Sequence, residues 1–163
     1  MCALGTVNAD GDAEQRTLVL RETHNQLSLF FSATSPKWFE LQQRPTASLF
    51  IYMPSIEVQY RLRVEWQRID DNIVRDSWQL RPDIPKKLDW LYQNHPQSSA
   101  VNRALLEAGL AADQPTPTAA PASAIGVYLH PLRIERLELS SGVHQRDLFE
   151  LKDGAWQHSH RVP

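Results

Sequence analysis

Val58-Gln59-Tyr60-Arg61-Leu62-Arg63-Val64-Glu65-Trp66 alternates apolar and polar residues without a break. In an extended chain Val58, Tyr60, Leu62, Val64 and Trp66 share one side, and Gln59, Arg61, Arg63 and Glu65 the other. Such a strand buries one face in a core and turns two arginines and an amide either to water or to a ligand. Just upstream, 46–53 (TASLFIYM) is nearly all apolar, so both faces of this strand are expected to be covered; Pro54 closes it. Arg44-Pro45 stops a helix over 36–43, because the residue before a proline is pushed out of the helical region. Three strands precede that helix, at 2–8, 15–22 (QRTLVLRE) and 27–31 (LSLFF), with a turn signal at Asn8-Ala9-Asp10-Gly11-Asp12 and another across 22–26. Their short connections predict a meander.

Downstream the period changes. Ile73-Val74, Ser77-Trp78 and Leu80 predict a helix stopped near Arg81-Pro82. A second helix is expected over 86–92 and a third over 100–108, with Gly109 as its C-cap. The stretch 111–123 is rich in Ala, Pro and Thr, has no apolar period and reads as a mobile linker. Strands resume at 125–129, 133–139, 146–151 and 155–161, with turns at His130-Pro131, across 140–142 and across 152–154. About eight strands with helices gathered in the middle predict a mainly β protein: one domain over 1–163, an antiparallel, Greek-key-like barrel with helices at its side, a helical insert at about 70–110 and a linker at about 111–123.

A chain of 163 residues can bury a real core in one domain. The net charge of −2 argues against nucleic acid or an anionic membrane as a general partner. Thirteen arginines against four lysines favour planar, bidentate contacts to carboxylate or phosphate. Cys2 is the single cysteine, which excludes an internal disulfide or a cysteine-based zinc site and allows a reducing compartment. The first residues have no secretory pattern, and no apolar run is long enough for a transmembrane helix, so cytoplasmic residence is expected.

Ser32-Ala33-Thr34-Ser35-Pro36-Lys37 lies between the third strand and the first helix. Ser35 suits an N-cap, and Pro36 then falls where its missing N–H costs nothing. Lys37 is a cation at the positive end of the helix dipole, an unfavourable place unless an anion binds there. The other reading is a solvated lysine whose stem covers Trp38.

Together these segments resemble the pyridoxamine-phosphate-oxidase-like FMN-binding split barrels. MCALGTVNADGDAEQRTLVLR is similar to the family's opening hairpin, LFFSATSPK to its loop ending in Ser-x-Lys, and QYRLRVEW to its polar-faced strand. RIERLELSSGVHQRDLFEL with DGAWQHSHRVP is similar to its C-terminal His-x-Arg strand and Trp…Arg-x-x-Pro close. The resemblance implies FMN at the seam of a homodimer. Arg16, Thr17, Leu18, Val19 and Arg21 would line the flavin. Phe31 and Ser32 join the cofactor set, and Ser35 and Lys37 would hold the phosphate. Arg61 would stand where the family has a glutamine touching the ring, with Gln59 the alternative on the same face; Arg146 would reach in from the partner chain. Arg81 and His144 would contact substrate, with His144 the candidate catalytic group.

The departures bear on substrate. Vitamin B6 oxidases carry a substrate-contacting arginine two residues before the histidine of the C-terminal motif; here that position is Gly142. The tryptophan beside their flavin falls at Leu137, and the arginine beside their phosphate lysine is Pro36. Of their mid-chain phosphate set Arg81 matches, while the tyrosine and serine positions are Ser77 and Pro85. With its first expected strand at 2–8, the chain is also expected to lack those enzymes' extra N-terminal segment. It looks closer to their uncharacterised relatives. The expected function is a flavin-dependent oxidoreductase acting on a small substrate; the alternatives are a non-catalytic FMN carrier, a barrel that has lost its cofactor, or a genuine pyridoxamine-phosphate oxidase. His144 reads equally as a proton relay or as a cap of the adjoining turn. His158 and His160 alternate on the last strand, a spacing that can bind metal, but no carboxylate or cysteine cluster accompanies them in sequence and no metal site is expected.

Overall fold

The computed structural model describes residues 1–111, 113–140 and 142–163. Ala112 in the expected linker and Ser141 in the turn expected across 140–142 lie outside the described residues. The strands are β1 (Cys2–Val7), β2 (Ala13–Leu18), β3 (Arg21–Thr23), β4 (Gln26–Ser32), β5 (Thr46–Met53), β6 (Val58–Arg68), β7 (Ala124–Glu138), β8 (Gln145–Lys152) and β9 (Ala155–Arg161). The helices are α1 (Pro36–Gln43), α2 (Asp71–Gln79), α3 (Asp83–Asn94) and α4 (Arg103–Leu110). The strands form a sheet in the order β2-β1-β5-β6-β7-β4-β3, and β8 pairs with β7 and carries β9. Neighbouring pairs such as β1–β5 and β5–β6 are antiparallel, in keeping with the split barrel expected. Among the described residues no helix is long and apolar enough to cross a membrane.

The chain divides into two compact units. The first comprises Met1–Leu29, Glu40–Gln67 and Tyr128–Pro163. Its core follows the period of two: Cys2 and Leu4 of β1, Leu49 of β5 and Leu62 and Val64 of β6 are buried. Leu4 faces Leu49 and Leu49 faces Leu62 across the ladder, so one row of leucines runs through three strands. Trp66 stands at the edge of this core and donates its indole N–H to the carbonyls of Leu41 and Arg44, both at 3.1 Å. Local chemistry sets the hairpins. Asn8 accepts at its side-chain oxygen from the N–H groups of Asp10 (3.0 Å) and Asp12 (2.9 Å), closing the β1–β2 turn. Asp153 and Gly154 both take positive φ, +51° and +78°, the pair a two-residue hairpin turn requires between β8 and β9.

The second unit comprises Phe30–Phe39 and Arg68–Val127. Asp70 caps α2 by accepting from the Asn72 N–H at 2.8 Å, and Asn102 caps α4 through the Ala104 N–H at 2.9 Å. Val74, Trp78, Ile125 and Val127 are its main buried apolar residues. Residues 113–123 form no helix or strand, as their composition predicts. They are nevertheless tied down: Gln79 donates to the Thr118 carbonyl at 2.8 Å, Trp90 to Ala119 at 2.7 Å, and the Ala33 N–H to Ser123 at 2.7 Å.

Five expectations are corrected. The opening strands are not a meander. The strand predicted over 15–22 breaks after Leu18, so β1–β2 and β3–β4 are separate hairpins at opposite ends of the strand order. The strand over 46–53 is covered on one face only, with Ser48, Phe50 and Tyr52 exposed on the other in the single chain. Gly109 is not a C-cap. It lies inside α4, where a Cβ would sit 3.4 Å from Leu91 of α3, so its small size serves helix packing, and Ala111 is the cap. No turn forms at His130-Pro131, because β7 runs straight through both residues. An extended strand tolerates the φ of proline, and pairing with β8 begins only beyond it, at Arg133. Lys37 is not a solvated lysine; it is 7% exposed.

Candidate functional site

Within the first unit, β6, β7 and β8 lie side by side and bring three arginines to one carboxylate. Glu135 of β7 is buried. Its Oε1 lies 3.0 Å from Arg146 of β8 and 3.3 Å from Arg61 of β6, and its Oε2 lies 3.4 Å from Arg133. Three guanidiniums on one carboxylate leave an excess of positive charge and several uncommitted N–H donors. Two clefts share Arg133 and Glu135. One, of about 560 Å³, is also lined by Gln15, Arg61, Arg63, Phe50 and the small residues Ala3 and Gly5. The other, of about 380 Å³, adds Arg146 and Arg161.

The ladder explains the first cleft. Thr17, Ala3, Phe50 and Arg61 stand in one row across β2, β1, β5 and β6, and Gln15, Gly5, Ser48 and Arg63 in the next. This is the face opposite the leucine row. A Cβ on Gly5 would run into the Ser48 hydroxyl, so glycine keeps that row low. Gln59 stands on the same strand face as Arg61, opposite Tyr52, but does not line the cleft. Arg61 and Arg146, which the resemblance put at the cofactor from two different chains, are brought together within one chain. Arg133 and Glu135 were missed: RIERLEL carries no signal beyond alternation, and only the β7–β8 register makes it a hub.

Apart from Thr17, which stands in the row of Arg61, the other expected cofactor residues of this unit are dispersed. Arg16 points to the face opposite Thr17 and forms an ion pair with the buried Glu40 at 2.7 Å. Thr6 bridges the two, accepting from Arg16 and donating to Glu40. Leu18 is half-buried, while Thr17, Val19 and Arg21 are exposed. His144 is exposed on the connection between β7 and β8.

In the second unit, Phe31, Ser32, Ser35 and Lys37 gather around the start of α1. Ser35 is fully buried, and its hydroxyl donates to the Ser32 carbonyl at 2.7 Å. The Trp38 N–H donates to the Ser35 carbonyl at 3.0 Å. The Ser32 hydroxyl lies 2.8 Å from that of Thr34, which donates to the Tyr92 carbonyl at 3.1 Å. Lys37 holds its ammonium 5.3 Å from the centre of the Phe31 ring and donates to Gln97 at 3.3 Å. A buried ammonium at the positive end of a helix dipole is an arrangement that a bound anion relieves. Gln97 carries no sequence signal; it reaches Lys37 from sixty residues away.

Arg81, expected at substrate, is held in the same unit by Asp89 of α3 at 3.0 Å. The Trp78 indole donates to that carboxylate at 2.8 Å. Burial pushes the Asp89 carboxyl above the usual carboxylate range, partly offset by Arg81 and by the Trp78 hydrogen bond.

No family profile matches the chain. It is 30% identical over 169 residues to the pyridoxine/pyridoxamine 5'-phosphate oxidase of Pseudomonas paraeruginosa, an alignment covering 98% of this chain and 76% of that protein. It is 28% identical over 167 residues to the enzyme of the same name from Pseudomonas entomophila, with the same coverage. Its fold matches that of a pyridoxamine 5'-phosphate oxidase-related, FMN binding protein from Nostoc punctiforme, with a TM-score of 0.83 at 24% identity over 99% of this chain and 87% of that one. It also matches PhzG from Burkholderia lata, solved in complex with tetrahydrophenazine-1-carboxylic acid, with a TM-score of 0.86 at 22% identity over 99% and 81%.

Proposed function

The chain belongs to the pyridoxine/pyridoxamine 5'-phosphate oxidase family, and from that premise we propose that it is a cytoplasmic, homodimeric, FMN-binding oxidoreductase acting on a small substrate. The observation that carries this reading is the convergence of Arg61 and Arg146, 85 positions apart (146 − 61), on the buried Glu135 beside two clefts.

The residues fit the group chemically. A flavin needs hydrogen-bond donors or positive charge at its pyrimidine edge, and its phosphate needs cations with N–H or O–H donors. Arg61 and Arg133 supply the first kind, with N–H groups beyond those spent on Glu135. Gln59 is the alternative donor on the same strand face. Lys37, buried at a helix start, supplies the second. Bound FMN would supply a two-electron acceptor. The chain's own part is to hold it: Lys37 neutralises the phosphate, the arginines favour negative charge on the ring, and the small side chains of Ala3 and Gly5 leave room for a flat group. His144, exposed and beside β8, is the residue assigned to substrate and to moving a proton. Arg81 is assigned to substrate with Asp89 fixing its guanidinium. The exposed Phe50 and Tyr52 are assigned to a second copy of this chain, which would cover the bare face of β5.

The names of the curated relatives favour a second reading, a genuine pyridoxamine-phosphate oxidase. Gly142 opposes it, since a charged substrate would lack one arginine contact. One experiment separates these readings. Purified protein is checked for a flavin spectrum, titrated with FMN, and mixed anaerobically with pyridoxamine 5'-phosphate, a panel of amines, and NAD(P)H. Saturable FMN binding with bleaching by a compound other than pyridoxamine 5'-phosphate is expected. Bleaching by that compound establishes the second reading. Binding without any bleaching leaves a carrier, and absence of FMN binding overturns the proposal. A solution mass of one chain with flavin bound removes the homodimer.

A further inference from the structure

β8 and β9 form a hairpin whose register sets Asp147 opposite His160 and Phe149 opposite His158. Side chains two apart on a strand share a face, so both imidazoles and the carboxylate stand together. The sequence shows the His-x-His pair alone; the carboxylate arrives from the neighbouring strand. His158 Nε2 lies 2.8 Å and His160 Nδ1 2.9 Å from the same oxygen, Oδ1 of Asp147. All three donor atoms fall within 4.8 Å of one another. We propose that Asp147, His158 and His160 bind a divalent first-row transition-metal ion, zinc in the first instance.

The geometry is close to what such an ion needs. A tetrahedral ion about 2.0–2.1 Å from its donors holds them about 3.3 Å apart. The two contacts to Asp147 need open by only a few tenths of an ångström, a side-chain adjustment. Two imidazoles and one carboxylate make a nitrogen- and oxygen-donor set suited to zinc, nickel or copper. The surroundings already orient these groups. Arg136 lies 3.6 Å from the other carboxylate oxygen, Oδ2, which leaves Oδ1 to the histidines. The His158 ring stacks on Phe149 with centroids 4.6 Å apart and planes 15° from parallel. His158 and His160 are both exposed, so an ion can enter from solvent and keep water as its remaining ligand. The competing arrangement is two hydrogen bonds from imidazole N–H groups to one oxygen. Metal binding replaces both N–H donors by lone pairs, which a neutral imidazole supplies by moving its proton to the other ring nitrogen. This proposal does not depend on flavin binding.

The test uses the full chain after chelator treatment and dialysis. Zinc alone is titrated by calorimetry, and cobalt is added in parallel for its visible ligand-field spectrum. Expected are one zinc per chain and a cobalt spectrum that zinc abolishes. His158→Ala, His160→Ala and Asp147→Asn should each weaken binding at least about tenfold, while His24→Ala, on the β3–β4 turn, leaves it unchanged. Circular dichroism checks that each variant is folded. Absence of stoichiometric binding in the unmodified chain, or affinity unmoved by the three substitutions, overturns the site.

Discussion

Arg146 donates to the Oε1 of Glu135 at 3.0 Å, joining β8 to β7 through a buried carboxylate. Arg61 and Arg133 share that carboxylate at 3.3 and 3.4 Å. Removing its charge leaves three guanidiniums facing one another. Glu135→Ala is expected to lower unfolding stability by about 1–3 kcal/mol in urea denaturation, less than a fully buried broken ion pair costs, because the arginines remain partly in water. Arg61→Ala, the most exposed partner, should cost under about 1 kcal/mol. Equal costs for the two would show that the carboxylate is not the hub.

Lys37 carries the phosphate assignment. Lys37→Ala should weaken FMN binding about tenfold to a hundredfold, the range of one charge-assisted hydrogen bond, measured by quenching of flavin fluorescence. Circular dichroism should show the fold retained. Undiminished affinity in a folded variant would remove Lys37 from the site.

Gly126 is buried against a ring. A Cβ there would meet Phe30 carbons at 2.8 and 2.9 Å and Ile69 at 3.1 Å. Gly126→Ala is expected to destabilise by about 1–3 kcal/mol through overpacking. Adding Phe30→Leu should recover part of that loss in a double-mutant cycle, since the two sites touch. Strict additivity would rule out the ring as the cause.

Cys2 is buried in β1, with its thiol directed to the Leu18 carbonyl at 3.7 Å. Desolvation pushes the thiol above its ordinary range; the chain's amino terminus and the hydrogen bond to Leu18 pull the other way and are weaker. A thiol whose folded pKa is raised holds its proton in the folded state to higher pH than in the unfolded state. Alkylation of the native protein should therefore be slow at mildly alkaline pH and become fast when urea is added. Rapid native labelling at that pH would show that the terminus of β1 opens.

The strands and helices were largely legible because local pattern carries them. VQYRLRVEW alternates, and its apolar side is the buried side of β6. Pro36 opens α1, and Pro45 follows its end, since proline acts within a residue or two of itself. Errors arose where a local signal had a second use. Gly109 gives α4 room beside Leu91 instead of ending the helix, and Pro131 rides inside β7 instead of turning the chain. The exposed side of β5 was unreadable for another reason: TASLFIYM states how apolar a strand is, not what covers it.

Sequence by itself determined the alternating strands, the turn at Asn8, the helix opened by Pro36 and the motifs that pointed to the family, because each depends on residues close together in the chain. Tertiary structure alone decided which charges meet. Arg61, Arg133 and Arg146 converge on Glu135, and Asp147 joins His158 and His160, because strand register brings distant residues to one face. Charge interactions act across that short gap, and no feature of the separate segments records it.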